Sequence, residues 1–460
     1  MPFEPDSNAS AAPLTQPNPS ATARPRLSVI GTGYLGATHA VCMVELGYEV
    51  IGLDVDEAKI KALCAGQIPF FEPGLPELLA KHIDSGKLRF TTDFAEVAAF
   101  ADIHFVCVGT PQQKGQYAAD MTYVRSAFES LAPHLNRRAL VVGKSTVPAG
   151  TAEQMATILA ELAPNKEVEL AWNPEFLREG FAVADTLAPD RLVFGVRSEW
   201  AEQTIRSAFE PVIATGTPVI VTDFATAELV KVAANSFLAT KISFINAMAE
   251  VCEATGADVI QLADAIGHDA RIGRRFLNAG LGFGGGCLPK DIRAFIARAG
   301  ELGVDQAVSF LRDVDEINLR RRARVVELGL ELVDGSYAGT KVAVLGAAFK
   351  PNSDDIRDSP ALDVAAAVGR RGARVQVFDP QANANARRVH PELSYADSLD
   401  EVIDGVDLIM LLTEWQEFRS MDPETVGQRV ARRNLVDGRN VLDPIQWRSS
   451  GWVYRALGRP

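Results

Sequence analysis

Cysteine is scarce in this chain and poorly spaced for cross-links or metal binding. The 460 residues include five cysteines, an odd number, at positions 42, 64, 107, 252 and 287, and no two of them form a CxxC pair. That spacing argues against a disulfide framework and against a zinc site. We therefore predict that no metal is bound, and we expect a reducing compartment, the cytoplasm.

Long hydrophobic runs and a surplus of basic residues are also missing. No apolar stretch reaches the roughly 18 residues that a membrane-spanning helix requires. The formal net charge of −13 argues against nucleic acid and anionic membranes as partners, although a local pocket can still be basic. Residues 1–24 are rich in small and polar residues and have no apolar core. They predict a disordered tail and not a secretory signal.

The remainder of the chain has the composition of a globular protein with more than one domain. Hydrophobic residues make up 47% and charged residues 23% of the 460 residues, which are too many for one ordinary core. Short apolar runs alternate with amphipathic ones, the pattern of a doubly wound parallel sheet. Strands are predicted at residues 27–30, 49–53, 103–108, 140–142 and 169–172, and again at 341–346, 374–378 and 407–412.

Two long helical stretches, about 225–254 and 306–333, separate the two sets of strands. The predicted fold class is therefore α/β, with two doubly wound units and a helical middle. We expect an N-terminal domain over 25–222, a central helical domain over 223–334 and a C-terminal domain over 335–460. Because long helices between α/β units commonly form a subunit interface, we also expect a homodimer.

A glycine-rich turn follows the first predicted strand. Gly31-Thr32-Gly33-Tyr34-Leu35-Gly36 has the GxGxxG form, in which the glycines allow a tight turn, close approach of a pyrophosphate and packing of helix on strand. Asp54 ends the next strand, where its carboxylate would bind both ribose hydroxyls and repel a 2′-phosphate. The pattern predicts NAD and not NADP as the cofactor. Lys59 could reach the adenosine phosphate or ribose. Alternatively, it is a solvated lysine on a helix.

Two further strands end in turns that carry threonine and proline. Thr110 precedes Pro111, and Thr146 lies two residues before Pro148. At the carboxyl end of a parallel sheet, each hydroxyl would face the cofactor crevice. The alternative is that these turns only terminate their strands.

Carboxylates and amino groups follow in a pattern that suits a reacting centre. Glu175 and Glu179 lie four residues apart after the strand at 169–172, so one could act as acid/base and the other bind a hydroxyl, unless both are solvated. Lys231 and Asn235 share one face of the long helix with Glu228. The first two could stabilise an oxyanion; alternatively, Lys231 forms a structural salt bridge with Glu228.

A thiol follows three consecutive glycines in the segment 282–291. Cys287 lies just before a helix predicted to run to about Gly300, with Pro289 in its first turn. A thiol at a helix N-terminus beside Lys290 should have a lowered pKa and act as a nucleophile. Asp291, four residues on, should face the same pocket. Alternatively, Cys287 is an inert buried cysteine, which is the more common case for a lone thiol.

Together these segments resemble the nucleotide-sugar 6-dehydrogenase family, the UDP-glucose and GDP-mannose dehydrogenases. The resemblance covers almost everything after the tail and rests on residues 31–36, 173–179, 231–235, 276–285, 287–291 and 349–360. It implies two Rossmann-like domains joined by a long helix that forms the dimer. It also implies the NAD-dependent, four-electron oxidation of a sugar C6 alcohol to a carboxylate, with UDP-glucose as the favoured substrate and UDP-glucuronate as the product.

The resemblance also implies roles for individual residues. Cys287 would carry the thiohemiacetal and thioester, Lys231 and Asn235 would hold the oxyanion, and Glu175 would be the acid/base. Asp291 and Thr146 would position water. Contacts to NAD are expected from Gly31, Gly33, Tyr34, Leu35, Gly36, Asp54, Lys59, Thr110, Thr146, Glu179, Lys290 and Arg357. Contacts to the sugar nucleotide are expected from Glu175, Phe176, Leu177, Arg178, Glu179, Lys231, Asn235, Phe276, Asn278, Gly280, Gly282, Phe283, Gly284 and Lys350.

Other functions remain open from the sequence alone. One is the oxidation of GDP-mannose or of an N-acetylated UDP-sugar by the same chemistry. Another is a two-electron hydroxyacid dehydrogenase, which would not need Cys287, and a third is a nucleotide-sugar-binding protein without catalysis. One residue departs from the family pattern: Gly286 stands where many members carry serine, and we expect a looser loop there.

Overall fold

Two mostly parallel sheets organise the chain in the computed structural model, which describes residues 24–460. The tail predicted for residues 1–24 lies outside the described residues except for residue 24. The predicted α/β class, with two doubly wound units and a helical middle, is confirmed. In the described part of the chain no helix is both long enough and apolar enough to cross a membrane.

The first sheet has eight strands in the order β3-β2-β1-β4-β5-β6-β7-β8. The strands are β1 (Leu27–Ile30), β2 (Val50–Leu53), β3 (Leu88–Thr91), β4 (Ile103–Val106), β5 (Ala139–Gly143), β6 (Val168–Trp172), β7 (Leu192–Gly195) and β8 (Val219–Thr222). All neighbours are parallel except β6 and β7. Leu27 and Val29 of β1 join one buried cluster and Ile30 joins another. Alternate side chains thus pack on both faces, as a sheet covered on both sides requires.

Between residues 24 and 222 the structure has nine helices. They are α1 (Tyr34–Glu45), α2 (Glu57–Cys64), α3 (Leu75–Asp84), α4 (Phe94–Phe100), α5 (Thr122–Leu131), α6 (Thr151–Leu162), α7 (Ala182–Leu187), α8 (Glu199–Ala208) and α9 (Glu210–Ile213). A short 3₁₀ turn, Ala132–His134, follows α5. Five of the eight strands were predicted from the sequence, whereas β3, β7 and β8 were not.

Four helices form the middle of the chain: α10 (Phe224–Thr255), α11 (Val259–Gly267), α12 (Leu288–Glu301) and α13 (Phe310–Leu332). The carboxylate of Asp223 caps α10 by accepting from the Thr226 amide at 2.8 Å, and Gly256 ends the helix in the left-handed region. The helix predicted over 306–333 is only partly correct. A 3₁₀ turn, Asp305–Val308, precedes α13 and is separated from it by Ser309.

The second sheet has six parallel strands in the order β11-β10-β9-β12-β13-β14. They are β9 (Lys341–Leu345), β10 (Arg374–Phe378), β11 (Ser394–Tyr395), β12 (Leu408–Leu411), β13 (Asn434–Asp437) and β14 (Val453–Ala456). The helices around this sheet are α14 (Pro360–Arg370), α15 (Asn383–Val389), α16 (Leu399–Ile403), α17 (Gln416–Arg419), α18 (Pro423–Gly427) and α19 (Pro444–Ser449). Residues 346–359, which lie between β9 and α14, contact the N-terminal unit.

Candidate active site

The carboxyl ends of four neighbouring strands meet at one edge of the first sheet. The glycine-rich turn follows β1, Thr110 follows β4, Lys144 and Thr146 follow β5, and Glu175 follows β6. Because these strands are parallel, residues that follow them share this edge, where ligands bind in open α/β sheets. The structure therefore brings the predicted cofactor turns and the first predicted carboxylate together.

The glycine-rich turn has the geometry expected for dinucleotide binding. Gly31 has φ +87°, and a Cβ there would lie 2.7 Å from the Val108 side chain. A Cβ on Gly36 would collide with the carbonyl of Gly31, whereas the space beside Gly33 is open. Helix α1 begins at Tyr34, which directs its first amides toward the same opening. These features fit the pyrophosphate of a dinucleotide.

Asp54 stands at the end of β2 as predicted. Its carboxylate accepts from the Thr32 amide at 2.9 Å, the Asp56 amide at 3.1 Å and the Lys59 ammonium at 2.7 Å. Burial raises the pKa of Asp54, but Lys59 and the amides outweigh burial and leave it below its ordinary value. An ionised carboxylate at this position fits a ribose with free hydroxyls and disfavours a 2′-phosphate. Lys59 is paired with it and is not a freely solvated lysine.

Cys287 immediately precedes α12 and forms part of a polar cluster. The Asp291 amide donates to the Cys287 carbonyl at 2.9 Å, so the two residues are one helical turn apart. The buried carboxylate of Asp291 accepts from Asn235 at 2.7 Å and from Lys290 at 2.5 Å. Lys290 also donates to the Thr110 hydroxyl at 3.3 Å. The cluster thus reaches the cofactor edge of the sheet.

The surroundings of Cys287 raise its pKa, contrary to the sequence-based expectation. The residue reaches solvent, but the surrounding protein desolvates its thiol. This desolvation, followed by the carboxylate of Asp291, raises the pKa above its ordinary value, although Lys231 and Lys290 oppose the shift. The prediction from the helix N-terminus was wrong because it weighed only the helix dipole and the adjacent lysine. Without bound ligands the thiol is mostly protonated at neutral pH.

Lys231 lies buried on α10 and does not form the alternative salt bridge with Glu228. The Glu228 carboxylate instead accepts from the amides of Gly150 and Ala152 at 2.7 and 2.6 Å. Within residues 24–460, Lys231 makes no ion pair, and its ammonium lies 5.4 Å from the centre of the Phe176 ring. Lys231 is therefore available to bind a negatively charged oxygen.

Glu175 is held by three donors. One oxygen accepts from the amides of Phe176 and Leu177 at 2.7 and 3.0 Å, and the other lies 3.1 Å from the ammonium of Lys144. Burial raises the pKa of Glu175, but Lys144 and the Phe176 amide outweigh burial and hold it below its ordinary value. Glu175 is therefore a carboxylate at neutral pH, which suits a base and not a proton donor.

Glu179 joins the N-terminal unit to the segment 349–360. Its oxygens accept from the Ser353 hydroxyl and from Arg357, both at 3.2 Å. Burial and the nearby carboxylate of Asp355 raise the pKa of Glu179 to about 7, although Arg357 and Lys350 oppose the shift. Burial lowers the pKa of Lys350 in turn. Lys350 and Arg357, which were predicted to bind ligands, thus lie close to Glu179.

The glycines before Cys287 make room for the same segment of the C-terminal unit. A Cβ on Gly284 would collide with the Asp358 carbonyl, and one on Gly285, at φ +83°, would lie 2.7 Å from the Phe349 ring. At Gly286 the guanidinium of Arg357 occupies the space of a side chain. The expectation of a looser loop at Gly286 was therefore wrong, because Arg357 fills the gap.

Some predicted substrate residues are exposed and paired with other side chains, and others support the loop. Arg178 is exposed and pairs with Asp185 at 2.6 Å, and Asn278 is exposed and accepts from Arg274 at 2.8 Å. Phe276 has φ +68° on the approach to the loop. The remaining backbone positions contact neighbours through their main chain: the Gly280 amide donates to Asn246, the Phe283 amide donates to Asn318, and Gly282 packs on Asn318. The ligand roles of these residues stay predictions.

Besides Asn246 and Asn318, the residues Lys144, Glu72 and Arg439 support the site and were not selected from the sequence. The buried carboxylate of Glu72 accepts from the Tyr34 hydroxyl and from the Gly180 amide at 2.7 Å. It thereby ties the cofactor turn to the loop that carries Glu179. Arg439 donates to the carbonyls of Gly282 and Phe349 at 2.9 and 3.2 Å. Of these three, only Lys144 could have been selected from the sequence, because it directly follows a buried strand.

The sequence matches the UDP-glucose/GDP-mannose dehydrogenase family in three consecutive stretches. The NAD binding domain matches residues 25–213, the central domain residues 225–320 and the UDP binding domain residues 343–444. The cofactor prediction of NAD is thereby confirmed.

Known proteins of similar sequence and fold span nearly the whole chain. The chain is 40% identical over 437 residues to the UDP-glucose 6-dehydrogenase of Rhizobium meliloti (strain 1021), covering 95% of this chain and 100% of that protein. It is 40% identical to UDP-glucose 6-dehydrogenase TuaD of Bacillus subtilis (strain 168), with 95% and 93% covered. A UDP-glucose dehydrogenase structure from Pyrobaculum islandicum matches with a TM-score of 0.89 and 38% identity, covering 97% of this chain and 100% of that one. The chain therefore belongs to the UDP-glucose/GDP-mannose dehydrogenase family.

Proposed function

We propose that this protein oxidises UDP-glucose to UDP-glucuronate in two NAD-dependent steps through a covalent intermediate on Cys287. The observation that carries the proposal is the cluster itself: a thiol, the Asn235–Asp291 pair and the Lys231 ammonium, which has no ion-pair partner in the described part of the chain, lie together near the cofactor edge. An enzyme that oxidised the alcohol only once would not need the thiol. The names of the relatives agree with this substrate.

The residues account for each stage of the reaction. The glycine-rich turn at 31–36 would hold NAD, which would supply the hydride acceptor for each oxidation. The C6 alcohol gives up its hydroxyl proton to water and a hydride from C6, and Lys231 and Asn235 stabilise the oxygen as the aldehyde forms. The Cys287 thiol then adds across the C=O bond, with its sulfur on the carbon and its proton on the oxygen, which gives a thiohemiacetal. Loss of the hydroxyl proton to water and of the second hydride leaves a thioester. Water positioned by Asp291 and Thr146 attacks the thioester carbon, Glu175 takes a proton, and the carbon–sulfur bond breaks to restore the thiol.

The ligands are assigned to the two halves of the chain. NAD would contact the turn at 31–36, Asp54 and Thr110, and Lys290 and Arg357 would offset its phosphate charge. The sugar nucleotide would lie along 276–285 and meet Lys350 from the C-terminal unit.

We propose domains over 25–222, 223–334 and 335–460, which the two sheets and the matched stretches support. The five free thiols support a cytoplasmic location.

Counting NADH per sugar tests the proposed function. UDP-glucose should yield two NADH per molecule consumed, because each oxidation removes two electrons. GDP-mannose and UDP-N-acetylmannosamine serve as parallel substrates and should turn over slowly or not at all. One NADH per UDP-glucose would disprove the double oxidation, and faster turnover of another sugar would reassign the substrate. No NADH from any of the three would favour a binding protein without catalysis.

We also propose a homodimer formed through α10. Phe237, Phe244 and Val251 are spaced by seven residues on this helix and are exposed to 67%, 48% and 53%. Apolar side chains at that spacing form one stripe along a helix. Burying such a stripe against a second copy would remove it from water. The helix is long enough to support an extended two-fold contact.

Changing this stripe should dissociate the dimer. Replacement of Phe237 and Phe244 together by glutamate would place two charges in the interface, so the mass from light scattering should fall from two chains to one. Replacement of Tyr123, an exposed aromatic residue of α5, by glutamate is the matched control and should leave the mass unchanged. A monomeric parent protein, or a double variant that remains dimeric, would contradict the proposed interface.

A further inference from the structure

Lys144 is a buried lysine at the active-site edge that none of the reaction stages above uses. It directly follows β5, and its side chain is 4% exposed. Its ammonium lies 2.9 Å from the amide oxygen of Asn173 and 3.1 Å from Glu175. It also lies 5.6 Å from the centre of the Phe209 ring. Removing a lysine from water to this extent is unfavourable unless a carboxylate compensates the charge, and Glu175 is the carboxylate within reach.

The contacts of Glu175 show which of its oxygens remains reactive. Oε1 accepts from two amides, which use both of its lone pairs. Oε2 is bound to Lys144 and keeps one lone pair free. A proton can therefore be accepted at Oε2, the same oxygen that Lys144 holds. Asn173 fixes the lysine in turn, because its Nδ2 donates to the Val193 carbonyl at 3.0 Å and its oxygen accepts from Lys144.

The other titratable groups around Glu175 are uncharged or more distant. Burial raises the pKa of Cys42 on α1 and of Cys107 after β4 to about 12, so both thiols are neutral. Burial lowers the pKa of His39 on α1 well below its ordinary value, so this ring is neutral too. Among residues 24–460, Lys144 and, secondly, Lys231 are the cations that hold down the pKa of Glu175. Lys144 is the one in direct contact.

We infer that Lys144 is a positioning residue that keeps Glu175 ionised and fixes its Oε2 for proton transfer. The inference rests on the proposed function, in which Glu175 accepts a proton during thioester hydrolysis. It assigns two tasks to two lysines: Lys231 stabilises the oxygen of the substrate, whereas Lys144 acts only through Glu175. Because a neutral Glu175 cannot accept a proton, the rate should depend on the charge of Lys144.

The pH dependence of kcat tests this role. Replacement Lys144→Met removes the charge, so the pKa of Glu175 should rise and the acid limb of kcat should move up by about one pH unit or more. Activity at neutral pH should fall by about tenfold or more because Oε2 loses the contact that positions it for proton transfer, with little change in KM for NAD or UDP-glucose. Lys144→Arg should partly restore the profile. Lys166→Met removes an exposed lysine that contacts the Ala160 carbonyl and should behave like the parent.

A double variant separates action through Glu175 from general damage to the fold. Lys144→Met should cost little further activity in a Glu175→Gln background, whereas independent effects would add. An unshifted acid limb in Lys144→Met, or additive losses in the double variant, would overturn the inference. If Glu175→Gln keeps the parental kcat, the proposed role of Glu175 fails instead. A loss in Glu175→Gln without a shift in Lys144→Met refutes only the role of Lys144.

An infrared measurement keeps the inference testable should Lys144→Met fail to fold. The difference spectrum between the parent and Glu175→Gln isolates the Glu175 carboxyl group. The parent should retain the carboxylate band down to about pH 5, where ordinary glutamates begin to protonate. A carboxylic acid band at neutral pH would overturn the inference whatever the activity of the enzyme.

Discussion

Replacement of Cys287 by serine is expected to lower conversion of UDP-glucose to UDP-glucuronate by about a thousandfold or more. An aldehyde has no hydride to give until a nucleophile has added to it, and a serine hydroxyl is a much weaker nucleophile than a thiol. Binding of NAD and UDP should change little, because the packing of Gly284, Gly285 and Gly286 against residues 349–360 does not depend on the atom that serine replaces. Rapid-quench experiments should yield no more than one NADH per site on the timescale in which the parent makes two.

Cys64 provides the matched control for this variant. It is the other exposed cysteine among the five free thiols, and it lies on α2 away from the Asn235–Asp291 cluster. Cys64→Ser should therefore retain two NADH per sugar at the parental rate. If Cys287→Ser also retains both, the covalent mechanism is wrong, and the second oxidation must proceed through a bound aldehyde hydrate.

The features that were predicted correctly from the sequence depend on residues that lie close together along the chain. The turn at 31–36 and Asp54 belong to one βαβ unit, so spacing alone places them. No motif of that kind marks the unpredicted strands, and two of them, β8 and β11, lie at sheet edges, where the pattern of buried residues is weak. Strand β8 forms the edge of the first sheet, and its Ile220 and Val221 are exposed. Strand β11 has only two residues. A segment as short as β11 becomes a strand because β10 is available to pair with it.

The parts of the site that could not be predicted depend on residues far apart in the chain. Glu72 meets the Gly180 amide across 108 positions, and Arg357 fills the space at Gly286 from a different domain. The raised pKa of Cys287 likewise could not be predicted from the sequence. Its helix position and Lys290 were visible in the sequence, but the desolvation that raises the pKa, and the Lys231 charge that opposes it, depend on how α10 and α12 pack together.

The raised pKa of Cys287 also affects how this thiol would be activated. Because the pKa of Cys287 is raised without ligands, few molecules carry the thiolate at neutral pH before substrate binds. The positive charges of Lys231 and Lys290 oppose this shift, and the positively charged ring of the oxidised cofactor would add to them. The arrangement thus favours a thiol that becomes nucleophilic once the site is filled and is protected from modification before that.

Replacement of Lys231 by methionine should lower kcat by about 10²–10³-fold, the usual loss for one donor to a developing oxyanion. The ammonium has no carboxylate partner within residues 24–460, so its removal leaves no other charge stranded and the fold should remain stable. KM for UDP-glucose should rise by only a few fold. The interaction is weak with the neutral alcohol and strong with the charged oxygen, and a contact of that kind lowers the barrier more than it tightens binding.

A second lysine of the same helix separates this chemical role from support of the fold. Lys241 donates to the carbonyls of Ile272 and Gly273 at 2.9 and 3.1 Å, so Lys241→Met removes hydrogen bonds from α10 without touching the reacting oxygen. It should lower the thermal unfolding midpoint and leave kcat close to the parental value, whereas Lys231→Met should do the reverse. A Lys231→Met variant with parental kcat and a raised KM would show that Lys231 only binds substrate, and the charge on the oxygen would then have to be stabilised by Asn235.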